Sequence, residues 1–451
     1  MPTLPRQVDV LELIEAQPAN AFQLRLLFWI ALAMFIEGYD MQVIGYAAPA
    51  IIREWNVGKA GFGAVFGLGM AGYMVGALGI SNLGDRFGRR VMILCGVFFF
   101  APITVLCAYA RTPEQLSALR FLAGVGMGGA IPNVIALAAE YAPRAQRATR
   151  VAIAFAAYTI GSAVGGFIAA WLLPRWGWQS LFQVGGWSAL LLGAALLFTL
   201  PESARFLVES GRGQGRLLAI LRKLAPAAAL EPDTVFVAKE EHRATHSVLE
   251  LFRGGLLPTT VLLWMAYICN MVALHFVTSW LPTVIEASGV AATSAAIATG
   301  LFQGGGTIGT LVSGRLLDKR GIAVLAVVFF CAVPIVVAIG EVAGSVALTM
   351  LLVTMAGFCI PGGQGGINAL AGTAYPTAIR STGAGWALGI GRIGSILGPV
   401  LGGFLIALDL PYRALFLFLA IPPLLTALAL MLLARTRAAE LRAPATLALS
   451  K

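Results

Sequence analysis

Twelve apolar runs, each long enough to cross a lipid bilayer, decide what this chain can become. A hydrocarbon core needs ~20 apolar residues per helix. Such runs lie near residues 24–50, 60–83, 91–110, 116–139, 151–173 and 181–200, and again near 256–281, 292–317, 322–340, 342–372, 382–407 and 414–434. Charged residues make up 12% of the chain, about half the share found in soluble domains (about 25%). Membrane β-strands would alternate in polarity over ten-residue windows, and these runs do not. The expected fold class is an all-α membrane protein with twelve transmembrane helices.

The net charge of +10 would suit nucleic acid if it formed one patch, but it does not. Basic residues crowd alternate loops: Arg86, Arg89 and Arg90; Arg144, Arg147 and Arg150; the stretch from Arg205 to Arg253; Arg315, Lys319 and Arg320; Arg380; and Arg435 with Arg437. The loops between them hold little beyond Arg53, Lys59, Arg111, Arg175 and Arg413. That bias is the positive-inside pattern. It predicts a multi-pass inner-membrane protein whose termini and central loop are all cytoplasmic, with the lipid bilayer, not nucleic acid, as its partner. Cys95, Cys107, Cys269, Cys331 and Cys359 lie in apolar runs without a CxxC pair, so neither disulfides nor a metal site is expected. Arg6, Asp9, Glu12 and Glu15 precede the first run. Mixed charge excludes a cleavable signal and suggests a short amphipathic helix.

Residues 201–255 form the one long polar stretch and divide the chain. The expected organisation is a leader (1–23), a six-helix half (24–200), the central loop (201–255), a second six-helix half (256–435) and a tail (436–451). The halves repeat. Asp85 and Asp318, Arg147 and Arg380, and Gly161 and Gly394 each stand 233 residues apart in matching local sequence. Two pseudo-symmetric halves place a substrate site where they meet, near the bilayer midplane. The same offset sets Asn270 against Glu37, so Asn270 is expected to face the central cavity.

Asp85-Arg86-Phe87-Gly88-Arg89-Arg90 resembles the loop 2–3 signature of the major facilitator superfamily, and Gly314–Gly321 its second copy. Arg120 with Gly124, Gly126 and Gly128 resembles the span-4 motif, and Gly161–Gly166 and Gly394–Pro399 the glycine-rich faces of spans 5 and 11. Ser81 stands where that loop signature begins with Gly, which implies altered packing of span 2. More narrowly, Glu37-Gly38-Tyr39-Asp40, Ser279-Trp280-Leu281-Pro282 and Tyr375–Gly383 resemble the aromatic acid:proton symporters. The commoner form of the span-1 motif begins with Asp. Glu37 is nearer the 3-hydroxyphenylpropionate type than the 4-hydroxybenzoate/protocatechuate type, so the acid itself stays open. The resemblance implies transport, no cofactor, and gating by Asp85, Arg86, Arg89, Asp318 and Arg120, with Asp85 docking at a helix N-terminus.

Glu37 and Asp40 lie one turn apart on one face of span 1. A charge there costs ~2.5–3.5 kcal/mol. Neighbouring carboxylates in low dielectric oppose joint ionisation, so the pair reads as a proton site, with Asp40 the carrier and Glu37 its tuner. The bland alternative is a structural ion pair. Arg392, deep in span 11, suits bidentate capture of a carboxylate, or else pairs with Glu37 or Asp40. Asn133, Asn270, Gln303, Gln364 and Asn368 are either interhelical glue or orienters of ring hydroxyls. Tyr39, Tyr158, Tyr267 and Trp386 either stack on an aromatic ring or pack, and His275 reads as structural. No GxxxxGK[ST] loop and no nucleophile–base motif occurs. An ATP-driven pump and an enzyme are therefore not supported.

The expectation is a monomeric importer of aromatic carboxylates with protons, working by alternating access. Its rivals are a proton-coupled antiporter exporting drugs or metabolites, and a transporter-like sensor. Reporter fusions test the topology: one at Arg212 and one at the C-terminus are both expected to report cytoplasm, and a periplasmic Arg212 would overturn the assignment.

Overall fold

The computed structural model describes residues 7–18, 20–143, 146–211, 213–226, 228, 234–238, 247–342, 345–376 and 379–442. A strand β1 (Gln7–Asp9) leads into α1 (Val10–Ala16), followed by α2 (Ala21–Trp55) and α3 (Lys59–Val75). Then come a π-helical turn (Gly76–Ile80), α4 (Leu83–Phe87), α5 (Arg89–Cys107), α6 (Pro113–Glu140), α7 (Arg147–Trp176) and α8 (Gln179–Thr199). The central segment contributes α9 (Ala204–Glu209), α10 (Gln214–Leu224), β2 (Val235–Val237) and a 3-10 turn (Val248–Phe252). The second half runs through α11 (Leu257–Ala287), α12 (Ala292–Arg320), α13 (Ala323–Glu341), α14 (Val346–Ala371), α15 (Arg380–Ala407) and α16 (Tyr412–Arg442).

Local chemistry sets the helix ends. Thr112 caps α6, its side chain accepting from the Gln115 amide, with Pro113 in the first turn; both features satisfy or remove orphan donors. Asp9 caps α1 through the amides of Leu11 and Glu12, and the leader is helical as expected. Gly88 separates α4 from α5 at φ +100°, where a side chain would be strained and would also strike the Glu202 carboxylate. Eleven of the described helices are long and apolar enough to span a membrane. The remaining long one, α12, has 29 residues, ~43 Å at 1.5 Å per residue. Its Gly, Thr, Ser and Gln side chains make it less apolar than its neighbours, and it packs extensively on α14.

Contacts gather the chain into two compact units, residues 1–43, 68–162 and 178–243 in one and residues 44–67, 163–177 and 244–451 in the other. The first has its core among α2, α5, α6 and α8 (Ile30, Met34, Val97, Phe100, Met127, Leu192), extended by Leu217, Leu221 and Leu224 of α10. The second is centred on Leu263, Tyr267, Phe329, Ile367 and Leu430. It also holds the far ends of α2 and α3: Arg53 pairs with Glu286, the Phe66 and Trp280 rings meet edge-on at 5.2 Å, and Trp280 donates to the Pro399 carbonyl at 2.8 Å.

The 233-residue repeat is visible in these contacts. A Cβ on Gly161 would run into the Phe35 carbonyl, and one on Gly394 into the Ile268 carbonyl. Gly72 meets the Phe121 carbonyl as Gly305 meets that of Thr354, and Gly76 meets Val125 as Gly309 meets Phe358. Ser162 donates to the Gly38 carbonyl at 2.8 Å, while Ser395 reaches the Met271 sulfur at 3.6 Å. Each second pair is the first moved on by one repeat. Glycine is needed at these crossings because carbonyl oxygens occupy the space of a side chain.

The crossings make a stability prediction. Gly161→Ala and Gly394→Ala are each expected to lower thermal stability in detergent by ~1–3 kcal/mol, the usual range for overpacking. Gly389→Ala on the same helix as Gly394, where nothing lies within 4 Å of a Cβ, should be neutral or stabilising. Equal effects at 389 and 394 would contradict the crossing.

Candidate functional site

In the first unit the site is built on α2 and α6. Gly38 lets α2 lie directly on the Tyr158 backbone of α7, which fixes the height and rotation of its neighbours. Glu37 is 2% exposed and Asp40 is fully buried. Arg120 of α6, also buried, holds Asp40 twice: Nη1 donates to Oδ2 and Nη2 to the Asp40 carbonyl, each at 3.2 Å. The second carboxylate oxygen, Oδ1, accepts nothing among the described residues. A buried ion pair of this kind stands near balance, since desolvation offsets much of the Coulomb attraction. Adding a proton to Asp40 would remove the anion that holds Arg120 and tip that balance. The sequence assigned Arg392 to the substrate carboxylate, with pairing to Glu37 or Asp40 as its alternative role, and put Arg120 among the gating residues. Arg120 is the cation on Asp40.

In the second unit the polar groups form a chain between α11 and α14. Asn270 donates to the Ile360 carbonyl at 3.3 Å and to Gln364 Oε1 at 2.7 Å. Gln364 Nε2 passes a bond to Asn368 Oδ1 at 2.9 Å, and the Tyr267 hydroxyl donates to the same oxygen at 2.9 Å. Three of the expected amides, Asn270, Gln364 and Asn368, are thereby joined with Tyr267. Asn270 is fully buried within the second unit. Arg392 shares this level of the unit. Gly391 abuts the Tyr267 ring, and Gly394 abuts Ile268 and Met271. His275 Nδ1 lies 3.1 Å from the Met271 carbonyl, in keeping with a structural role.

Other candidates fall elsewhere. Asn133 gives its amide hydrogens to the carbonyls of Ser81 (3.1 Å) and Gly129 (3.0 Å), and its oxygen sits on Gly84. It ties α6 to the turn after the π-helical segment. Tyr39 is buried and packs on Gly185, its hydroxyl donating to the Leu181 carbonyl at 2.9 Å. Trp386, 44% exposed, stacks on Trp264 beside Phe252, two turns from Arg392. Gln303 is buried on α12.

The motif loop takes its own form. Asp85 is 82% exposed and reaches Arg89 at 3.8 Å, while Arg89 turns to the buried Glu140 at 2.5 Å. The helix-terminus docking implied for Asp85 is not among these contacts. Arg86 lies over the Phe87 ring. The side chain of Asp318 lies outside the described residues. Sequence reasoning missed Glu140 and Glu202, which bind the Ser203 hydroxyl and Arg205 amide, and the Arg90 amide, respectively. Their signal was carboxylates at the very ends of apolar runs, facing Arg89 and Arg90 in sequence charge. Glu286, the partner of Arg53, carried the same signal at the other end.

The sequence profile of the Major Facilitator Superfamily matches residues 30–387. The chain belongs to that superfamily. It is a multi-pass membrane transporter, not an enzyme, with two six-helix halves related by the repeat. The chain is 37% identical to the 4-hydroxybenzoate transporter PcaK of Pseudomonas aeruginosa over 96% of this chain and 97% of that one. It is 36% identical to a gallate transporter of Pseudomonas putida (95% and 96% covered) and 31% identical to the 3-(3-hydroxy-phenyl)propionate transporter of Escherichia coli (85% and 88%). A solved bacterial homolog of the human lysosomal transporter Spinster, inward-facing and occupied, superposes with a TM-score of 0.74 at 16% identity, covering 93% of this chain and 98% of that one. That likeness concerns the fold.

In this facilitator the Asp40–Arg120 pair can be tested by a double-mutant cycle. Arg120→Gln leaves a buried anion unpaired and is expected to cost ~3–5 kcal/mol of stability. Asp40→Asn combined with Arg120→Gln should recover much of that loss in detergent melting curves. Additive losses would mean the two side chains are not coupled.

Proposed function

We propose that this protein is a proton-coupled symporter that imports aromatic carboxylates by alternating access. The coupling rests on one observation, a titratable carboxylate buried against a single arginine and open to a proton at its second oxygen. The substrate class is supported by relatives aligned along almost the whole chain that transport 4-hydroxybenzoate and gallate. Asp40 is the proton carrier, Glu37 its tuner, and Arg120 the cation that Asp40 holds when ionised and frees when protonated. In the second unit Arg392 takes the substrate carboxylate, and Asn270, Gln364 and Asn368 orient the ring, with Gln303 as a further polar contact. Asp85, Arg86, Arg89 and Asp318 act in gating. The functional halves are residues 24–200 and 256–435. The termini and residues 201–255 face the cytoplasm of an inner membrane, and the protein works as a monomer.

The energetics demand a proton. An aromatic carboxylate is anionic at neutral pH, and a membrane potential negative inside opposes its entry by ~2.3 kcal/mol per 100 mV. One co-transported proton cancels that charge, and a second makes the potential assist. Exchange of inner for outer substrate moves no net proton.

Proteoliposomes with an imposed pH gradient, acid outside, test the reading with benzoates, protocatechuate, gallate, gentisate and phenylpropionates. Wild-type protein is expected to concentrate at least one of them. Asp40→Asn should abolish concentration yet retain exchange, Glu37→Gln should shift the pH optimum, and Arg392→Gln should raise KM at least about tenfold, the cost of a lost charged hydrogen bond. Asp40→Asn that still concentrates substrate would move the coupling role to another group. Expulsion of the acids instead of uptake would identify an antiporter.

A further inference from the structure

The amide network of the second unit spends every polar atom of Asn270 but one. An Asn side chain offers two N–H donors and one carbonyl acceptor. The atom facing the Ile360 carbonyl must be Nδ2, because a backbone carbonyl can only accept. Its two hydrogens go to Ile360 and Gln364 Oε1. Gln364 must then present oxygen to Asn270 and nitrogen onward, and the bond from its Nε2 to Asn368 Oδ1 agrees, as does the Tyr267 hydroxyl donating to that same oxygen. The direction of the whole chain is thus fixed by one peptide carbonyl. What is left is Asn270 Oδ1, fully buried and without a donor among the described residues. A buried acceptor left unmet is costly, and here the surrounding bonds prevent the amide from turning to relieve it.

We propose that Asn270 Oδ1 is the receptor for a phenolic hydroxyl of the substrate, and that it selects hydroxylated aromatic acids over unsubstituted and O-methylated ones. This rests on the aromatic-acid reading above. The substrate's OH donates to Oδ1, while Arg392, on the stretch of α15 packed beside residues 267–272, takes the carboxylate at the other end of the ring. A methoxy oxygen brings no proton and meets Oδ1 as acceptor against acceptor. Benzoate brings nothing and leaves the acceptor unmet. Sites built to bond a substrate OH discriminate strongly against analogues without it. Toward this hydroxyl Gln364 is a positioning residue, since it holds the Asn270 amide in the accepting orientation.

The test measures KM for 3- and 4-hydroxybenzoate, their methyl ethers and benzoate in one proteoliposome preparation, so that the amount of folded protein cancels in each ratio. Wild type is expected to favour at least one hydroxybenzoate over benzoate and over its own ether by about tenfold or more. In Asn270→Ala these ratios should fall to within about threefold, because the hydroxy acid loses a bond that benzoate never makes. Gln364→Leu should narrow the ratios part of the way. If Asn270→Ala does not fold, the wild-type panel still decides. Benzoate and both hydroxy acids taken up with equal KM overturns the proposal, as does an Asn270→Ala ratio equal to that of wild type. No uptake of any aromatic acid by folded wild type defeats the broader reading, and this inference with it.

Discussion

Everything in this molecule depends on helices lying close enough for a carbonyl oxygen of one to occupy the place of a side chain on the next. At Gly38 and Gly161 the α2 and α7 backbones meet with no Cβ between them, and Ser162 adds a bond from its hydroxyl to the Gly38 carbonyl. In lipid no hydrophobic effect drives helices together, so packing of this kind carries the association. It also sets the rotation of α2, and therefore which residues of Glu37-Gly38-Tyr39-Asp40 face the bundle. Both acids turn inward because the glycine between them must touch α7.

The same crossings recur one repeat later, at Ile268 with Gly394 and Met271 with Ser395, yet the chemistry placed on them has diverged. In the first unit the stretch holds a carboxylate on a guanidinium. In the second, Asn270 occupies the position of Glu37 and the acid at 40 has become Ala273. Arg120 is likewise matched by Val353 and Arg392 by Thr159. One scaffold thus presents a titratable pair in one copy and a neutral, direction-fixed amide chain in the other. On the proposed mechanism, protons are handled where charge can change, and a ring is oriented where it cannot.

Much of this could be read from the sequence for a simple reason. Span number, the halves and their register are written in hydropathy, glycine and charge, which repeat along the chain without reference to neighbours. The candidate residues of each unit were legible as residue types: Asp40 in the first, and Arg392, Asn270, Gln364 and Asn368 in the second, stood out as polar groups in apolar runs. Their partners were not, because pairing depends on helix rotation. Arg120 sits 80 residues from Asp40 and reaches it only because of where α6 crosses α2. Asn133 resembled Asn270 in sequence and serves the turn at Ser81 instead. That turn follows a π-helical segment closed by the Ser81 amide on the Gly76 carbonyl, which no periodicity announced.

The small parallel pairing of β1 with β2, Gln7 through Asp9 against Val235 through Val237, joins the start of the chain to the segment after the sixth span. Two three-residue strands are marginal alone. They are reinforced by Asn20, which bonds the Leu224 carbonyl at 2.7 Å, and by Glu15 on Arg147 at 2.5 Å. Chains are made from the N-terminus and domains tend to form in that order. All the pieces of this clasp have left the ribosome once residue 237 has emerged, before any of α11 has done so. The helices of the first unit can therefore be clasped together while the second six spans are still being threaded into the bilayer.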